Sequence, residues 1–307
     1  MAEIYDPDAL ECLAAIVEES SFERAAKRLS ITQSAVSQRL RTLEAQVGTV
    51  LLVRSRPIQP TSAGQLLLKH TKQLRLLRAD LQRDLQELTP GATGGQREEA
   101  RVSIAVNADS ISTWALPALG GLVRQGVPLE IITEDQDFTH EWLRQGQVLG
   151  CVTTLGQALR GCNVVALGAM DYVAIASPLW ASEQLQGGPL TPHNFHTQRY
   201  IAYNRKDDMH AEFVARAFGL RQVSLRHLFV PSCEGQVQAA LAHWGISVVP
   251  LLRVRELLAL GQLVNVAPSF SLSVPLYWHC WNLESEVLRT LSQAITLAAT
   301  RSLVVVP

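Results

Sequence analysis

Residues 21–48 read SFERAAKRLSITQSAVSQRLRTLEAQVG, and residues 51–64 continue LLVRSRPIQPTSAG. The first run predicts a short amphipathic helix over 21–29 and a turn at Ser30 and Ile31. A second helix follows over Gln33–Val47, with Thr32 as its N-cap. On that second helix Val36, Leu40, Leu43 and Val47 fall at i, i+4, i+7 and i+11, one stripe to bury. The opposite face carries Gln33, Ser34, Ser37, Gln38 and Arg41, short hydrogen-bonding groups and one long cation suited to base edges in a major groove. The 51–61 stretch predicts two extended pieces around a tight turn, a wing aiming Arg54 and Arg56 at phosphates or the minor groove. Thr61 is placed to cap the next helix while its hydroxyl or backbone N–H meets a phosphate, and Arg24 adds a cation on the first helix.

Charge supports this reading. Between Arg24 and Arg78 there are eleven Lys or Arg against Glu44 alone, a local balance of +10 in a chain whose net charge is −1. Segregated positive charge is the footprint expected for double-stranded DNA.

From Ser62 to Leu88 there is no proline, and leucines recur at Leu67, Leu74, Leu81 and Leu88 with Leu77 between them. A helix of that length spans about 40 Å, and its heptad seam predicts dimerisation with a second copy. The run Thr89-Pro90-Gly91-Ala92-Thr93-Gly94-Gly95-Gln96 then has hinge composition. The expected organisation is a DNA-binding domain over 1–61, a linker helix over 62–90 and a regulatory domain over 91–307.

After the hinge, strands are expected at 101–106, 129–133, 148–153, 164–167, 172–176, 200–203, 225–230, 246–249 and 277–281. Helices are expected after the first strand up to about 124, and at 138–145, 208–218, 235–243 and 284–302. This alternation predicts an α/β domain with mostly parallel sheets, divided into two lobes with a cleft between them.

Apolar residues make up 47% of the chain, enough for sizeable cores, yet no apolar run reaches the roughly 20 residues of a membrane span. The acidic N-terminus lacks the order of a signal peptide, so a cytoplasmic protein without membrane contact is expected. Cys12, Cys151, Cys162, Cys233 and Cys280 show no metal or redox spacing and read as reduced thiols. Cys233, near a helix start, is the one considered as a sensor. No phosphate-binding glycine motif, nucleophile elbow or zinc-protease spacing occurs, so no catalytic residue, metal or cofactor is expected.

The quoted helix–turn–helix, LLVRSR…PTSAG and the leucine-rich linker resemble the LysR-type transcriptional regulators, and the resemblance extends over the whole chain. The segments RVSIAVNADSISTWALPAL, NRKDDMHAEFV and LYWH are similar to the branch that responds to lysine or arginine and switches on exporters. The resemblance implies a winged helix-turn-helix, a dimerising linker and a two-lobed effector domain of the periplasmic-binding-protein type. Its lobes would cover 91–166 with 268–307, and 167–267. It also implies a dimer or tetramer, with RNA polymerase as a further candidate partner. Mapped onto this chain, it sets Asn107, Asp109, Ser110, Thr113 and Trp114 on one wall of the effector cleft, with Ser232 and Glu234 facing them. Glu134, Asp135, Asp171, Asp207 and Asp208 are the carboxylates available to a basic side chain, with Asp137 beside the first two. Arg205 and Lys206 keep open an anionic effector instead. An architectural DNA-binding protein without an effector is a third reading.

Overall fold

The computed structural model describes residues 5–53, 55–88, 101–133 and 139–305. The expected hinge at 89–96, Arg54, Glu134, Asp135 and Asp137 lie outside the described residues.

Three helices make the N-terminal core: α1 (Pro7–Glu19), α2 (Phe22–Arg28) and α3 (Gln33–Val47). Asp6 caps α1 ahead of Pro7, and α1 buries Leu10, Leu13 and Ile16. The Thr32 hydroxyl accepts the Ala35 N–H at 3.1 Å, and Gly48 ends α3 in the left-handed region at φ 80°. Val36, Leu40 and Leu43 are buried in the same core. The wing is the antiparallel pair β1 (Leu52–Val53) and β2 (Gln59–Pro60). Glu44, the one acid in the basic stretch, accepts the Leu51 N–H at 2.9 Å and so fixes the approach to the wing.

The linker helix α4 runs over Ser62–Leu88. Its seam does not face a single partner. Leu67 and Leu68 are buried in the N-terminal core and Leu74 packs against it, while Leu76 joins the core of the C-terminal region. Leu77, Leu81, Leu85 and Leu88 stay exposed, Leu88 at 77%. The heptad reading is therefore corrected for its first half, where the apolar side chains are covered by their own chain.

The C-terminal region builds a seven-stranded sheet. Strand β3 (Val102–Val106) leads into α5 (Ala108–Ser110), a π-helical turn over Ile111–Ala115 and α6 (Leu116–Arg124). The wide turn precedes Pro117, which lacks the N–H that an uninterrupted α-helix would require. Next come β4 (Leu129–Thr133), α7 (Thr139–Arg144), β5 (Gly150–Thr153) and the long β6 (Cys162–Ala176). Then α8 (Pro178–Leu185), β7 (Arg199–Ala202), α9 (Met209–Phe218), β8 (Arg226–Phe229) and α10 (Cys233–Leu241) follow. The chain finishes with β9 (Ser247–Pro250), α11 (Leu251–Ala259), β10 (Val264–Asn265), β11 (Leu272–Trp281) and α12 (Glu286–Ser302).

Among the described residues the parallel strand pairs are β3 with β4, β3 with β5, and β7 with β8, with one parallel bridge between Tyr200 and Ile246. Strand β11 runs antiparallel to both β5 and β6, and β9 and β10 run antiparallel to β6. The expectation of mostly parallel sheets is thus overturned at the centre. About 100 residues separate β6 from β11, and alternation of elements says nothing about direction across such an excursion. The expected strands 164–167 and 172–176 are one strand with a register shift. Its pairing jumps from Leu276 with Gly168 to Tyr277 with Ala166, and Gly168 adopts φ 120° beside the Val304 backbone. That glycine bends the strand instead of ending it. Before the bend β6 pairs with the part of β11 that also pairs with β5, and past it β6 pairs with β11, β9 and β10.

Removing the carboxylate that holds Leu51, by Glu44→Ala, is expected to cost about 1.5–3 kcal/mol, with Glu44→Gln costing less. Urea unfolding of the full chain measures this, and equal midpoints for both variants would discount the bond.

Candidate functional site

The first candidate surface lies on α3 and the wing. Gln33, Ser34, Gln38 and Arg41 are exposed, Ser37 is half-buried, and Arg56 is exposed at the wing. A recess of about 480 Å³ opens between these elements, and Gln33, Ser37, Ser55 and Arg56 contribute to its wall. The Ser55 hydroxyl donates to the Pro57 carbonyl at 2.7 Å and ties the wing tip.

Two expected phosphate contacts are already engaged. The Thr61 hydroxyl accepts the Gly64 N–H at 3.2 Å and donates to the Val50 carbonyl at 2.9 Å, while its own N–H donates to the Leu51 carbonyl. Thr61 therefore caps α4 and seals the wing rather than offering groups outward. The Arg24 guanidinium donates to the Glu19 carbonyl at the end of α1, where helix polarity favours a cation. Thr32 likewise uses its hydroxyl as the α3 cap.

The charge balance also changes once the chain folds. Acids of α1 reach the basic helices: Arg28 pairs with Glu18, Arg39 with Asp8, and Arg75 with Glu11 and Glu18. Lys27 pairs with Glu23. Arg41 and Arg56, at the recess side, remain exposed.

The second candidate is a cavity of about 170 Å³ in the C-terminal region. Asn107, Ala108 and Asp109 line it just past β3, with Thr133 at the end of β4, and Tyr172 comes from β6. Tyr203, Asn204, Asp207 and Met209 line the other side with Cys233 and Gln236 of α10 and Val248 of β9. The Tyr172 hydroxyl donates to Asp109 Oδ2 at 2.8 Å. Asp207 accepts the Tyr203 N–H at 2.8 Å and the Met209 N–H at 3.0 Å.

Among the described residues lining this cavity, Asp109 and Asp207 are the only ones with an acidic or basic side chain that is ionised in water at neutral pH. Burial raises the Asp109 pKa and the nearby Asp207 charge raises it further, while hydrogen bonds from Cys233 and Tyr172 pull it back. Behind Asp207, His210 is buried with Nε2 accepting the Val248 N–H at 3.1 Å and Nδ1 3.8 Å from Asp207 Oδ2. Burial lowers its pKa to about 4, so at neutral pH it brings no positive charge to the site.

Three of the expected cleft residues, Asn107, Asp109 and Asp207, meet at this cavity. Others sit elsewhere. Ser110 is fully buried, and Trp114 is packed into the hydrophobic core instead of offering a wall to a ligand. The Thr113 hydroxyl donates to the Asp109 carbonyl at 2.6 Å. Asp171 accepts from Ser273 on the neighbouring strand. Asp208 is exposed at the head of α9 without a side-chain cap. Ser232 caps α10 by accepting the Gly235 N–H, and Glu234 pairs with Arg253. Arg205, one of the cations that kept an anionic ligand open, stacks over Phe229 at 5.9 Å and does not line the cavity.

Sequence reasoning misses Thr133, Tyr172, Tyr203, Asn204, Met209, Gln236 and Val248, and reads Cys233 only as a reduced thiol or sensor. Gln236 carried a signal: three residues after Cys233, it shares that residue's helix face. The cavity offers recognition of a small cation by fixed carboxylates. The Tyr172 hydroxyl holds Asp109, and the Tyr203 and Met209 N–H groups hold Asp207.

A family model described as bacterial regulatory helix-turn-helix protein, lysR family, matches residues 7–65, and one for the LysR substrate binding domain matches 95–299. An HTH-type transcriptional regulator ArgP of Aeromonas salmonicida is 41% identical over 97% of this chain and 98% of its own length. The crystal structure of ArgP from Mycobacterium tuberculosis aligns with a TM-score of 0.86 at 36% identity, covering 99% of this chain and 100% of that one. Full-length LysG from Corynebacterium glutamicum, with bound effector Arg, aligns at 0.74 with 32% identity, covering 97% and 99%. With both of its regions matched in order and relatives of this identity covering nearly its whole length, the chain belongs to the LysR family of bacterial helix-turn-helix regulators.

Proposed function

We propose that this LysR-family chain is a DNA-binding transcriptional regulator whose cavity takes a basic amino acid, arginine or lysine, as effector. The observation that carries the effector is the pair Asp109 and Asp207, with no Lys or Arg among the described residues lining the same cavity. Two carboxylates in a confined, partly dry space favour a cation and penalise an anion. The arginine bound in the LysG structure supports the same class.

The proposed arrangement is a DNA-binding domain over 1–61, a linker helix over 62–90 and a regulatory domain over 91–307. Its lobes meet near the bend in β6. Gln33, Ser34, Ser37, Gln38 and Arg41 read base edges, with Arg54 and Arg56 on the backbone. The exposed Leu77, Leu81 and Leu88 of α4, with Leu85, pair with a second copy, and dimers associate further into tetramers. The effector acts by binding one arrangement of the oligomer more tightly than another. Such a regulator works in the cytoplasm on promoter DNA, where RNA polymerase is its further partner.

Arginine or lysine is expected to raise the melting temperature of the full chain, whereas glutamate is not. Asp109→Asn is expected to weaken arginine at least about tenfold, which is ~1.4 kcal/mol. Because burial raises the Asp109 pKa, its ionised form disfavours the folded state as pH rises, so the unliganded Asn variant is at least as stable at neutral pH. By the same sign, arginine affinity falls with acidification at a higher pH than an ordinary carboxylate would give. Calorimetric titration reads both effects, and an unaltered affinity in Asp109→Asn rejects the site.

On DNA, Arg56→Ala is expected to weaken binding to specific and random duplexes alike and to lower the salt slope by about one. Gln33→Ala and Ser37→Ala should instead erode preference, by about 1–3 kcal/mol per contacted base. Fluorescence anisotropy on both duplexes separates the classes, and identical behaviour would refute the assignment. Replacing Leu81, Leu85 and Leu88 together by Ser should shift the oligomer toward monomer in analytical ultracentrifugation. Unchanged assembly would move the interface off this helix.

A further inference from the structure

The carboxylate of Asp109 faces two other parts of the regulatory domain. Asp109 itself follows β3, on the side of the sheet where β3, β4 and β5 lie. Tyr172, whose hydroxyl donates to Oδ2 at 2.8 Å, sits on β6 just past the bend, opposite Leu272 of β11 and Pro250 of β9. The Cys233 thiol, which lines the same cavity as that carboxylate and lowers its pKa, opens α10, a helix packed on β9 and β7 at the other end of the sheet. Both side chains line the cavity with Asp109.

Resting on the basic-effector reading above, we infer that Tyr172 and Cys233 are positioning residues that hold the Asp109 carboxylate in place and ionised for the effector's cation. A carboxylate facing a cavity needs donors to stay ionised when water is displaced, and these two neutral donors supply them. Both come from the β9 side of the sheet and Asp109 from the β3 side, so each donor meets the carboxylate across the cleft. A ligand cation takes the remaining lone pairs of Asp109 and strengthens the same set of hydrogen bonds.

Among the described residues, the titratable groups acting on Asp109 are Tyr172, Cys233 and Asp207, with Arg253 acting on Cys233. Burial raises both the thiol and the phenol, so each remains a protonated donor at neutral and acidic pH.

The test is calorimetric titration of the full-length chain with arginine from acidic to mildly basic pH, for the unmodified protein, Tyr172→Phe, Cys233→Ala and Cys233→Ser. Loss of one donor is expected to weaken arginine about two- to tenfold. It should also move the acidic fall-off in affinity to higher pH, because Asp109 then protonates more readily. Cys233→Ser keeps a donor and should restore the fall-off. An acidic limb unchanged in both Phe and Ala variants, or a Ser variant that behaves as Ala, overturns the inference.

Melting temperature against pH without ligand judges the donors independently of the effector. The deficit of the Phe and Ala variants should deepen as pH rises through the Asp109 titration, whereas a simple packing defect gives a constant offset and overturns the positioning role. Arginine silence in the unmodified protein with a deepening deficit would retain the donors and reject the basic effector. Silence with a constant offset would reject both.

Discussion

The long antiparallel pair of β6 and β11 is the constraint on which the regulatory domain depends. Ten residues of β11 pair with β6 through one irregularity, and that irregularity divides the sheet between the β3–β5 side and the β9–β10 side. Loops and helix starts from both sides reach one cavity because the same two strands serve both. The bend at Gly168 combines a positive φ with backbone packed against Val304, so a side chain there would be both strained and crowded. A short local feature thereby sets the relation between distant residues such as Asp109 and Cys233.

Charge is organised on a second level. The basic character of the first 78 residues is partly internal, since α1 contributes Asp8, Glu11, Glu18 and Glu19 to the cations of the following helices. Arg75 is gripped by two of these acids while half-buried, which attaches the linker helix to α1. Cations used in this way orient the reading helix, and the outward field falls to a smaller set that includes Arg41 and Arg56. In the cavity the opposite holds: two acids are held by a neutral hydroxyl and backbone N–H groups, with no Lys or Arg among the described lining residues.

Much of the first 88 residues was legible because its signals are local. Thr32 ahead of Gln33, the stripe of Val36, Leu40 and Leu43, and the uninterrupted run from Ser62 are read within a turn or two of helix, and the observed bounds of α3 and α4 follow them. Thr61 was recognised as a cap, yet the destination of its hydroxyl depended on Val50, eleven residues away. The linker seam was misjudged over Leu67 and Leu74 for a related reason. A heptad shows that a face needs covering, not which surface covers it.

The effector-side residues divide along the same line. The sequence by itself determined the helix–turn–helix, the α4 rod, most strand and helix positions and the acidity after the strands, since these depend on spacing, capping and composition along the chain. Only the tertiary structure decided that β11 runs antiparallel beside β6, that Trp114 is core, and that Asp109 and Asp207 share a cavity while Asp171, Asp208 and Glu234 do not. Those outcomes come from contacts between residues tens to more than a hundred positions apart, and long-range packing has no fixed period that a linear pattern can record.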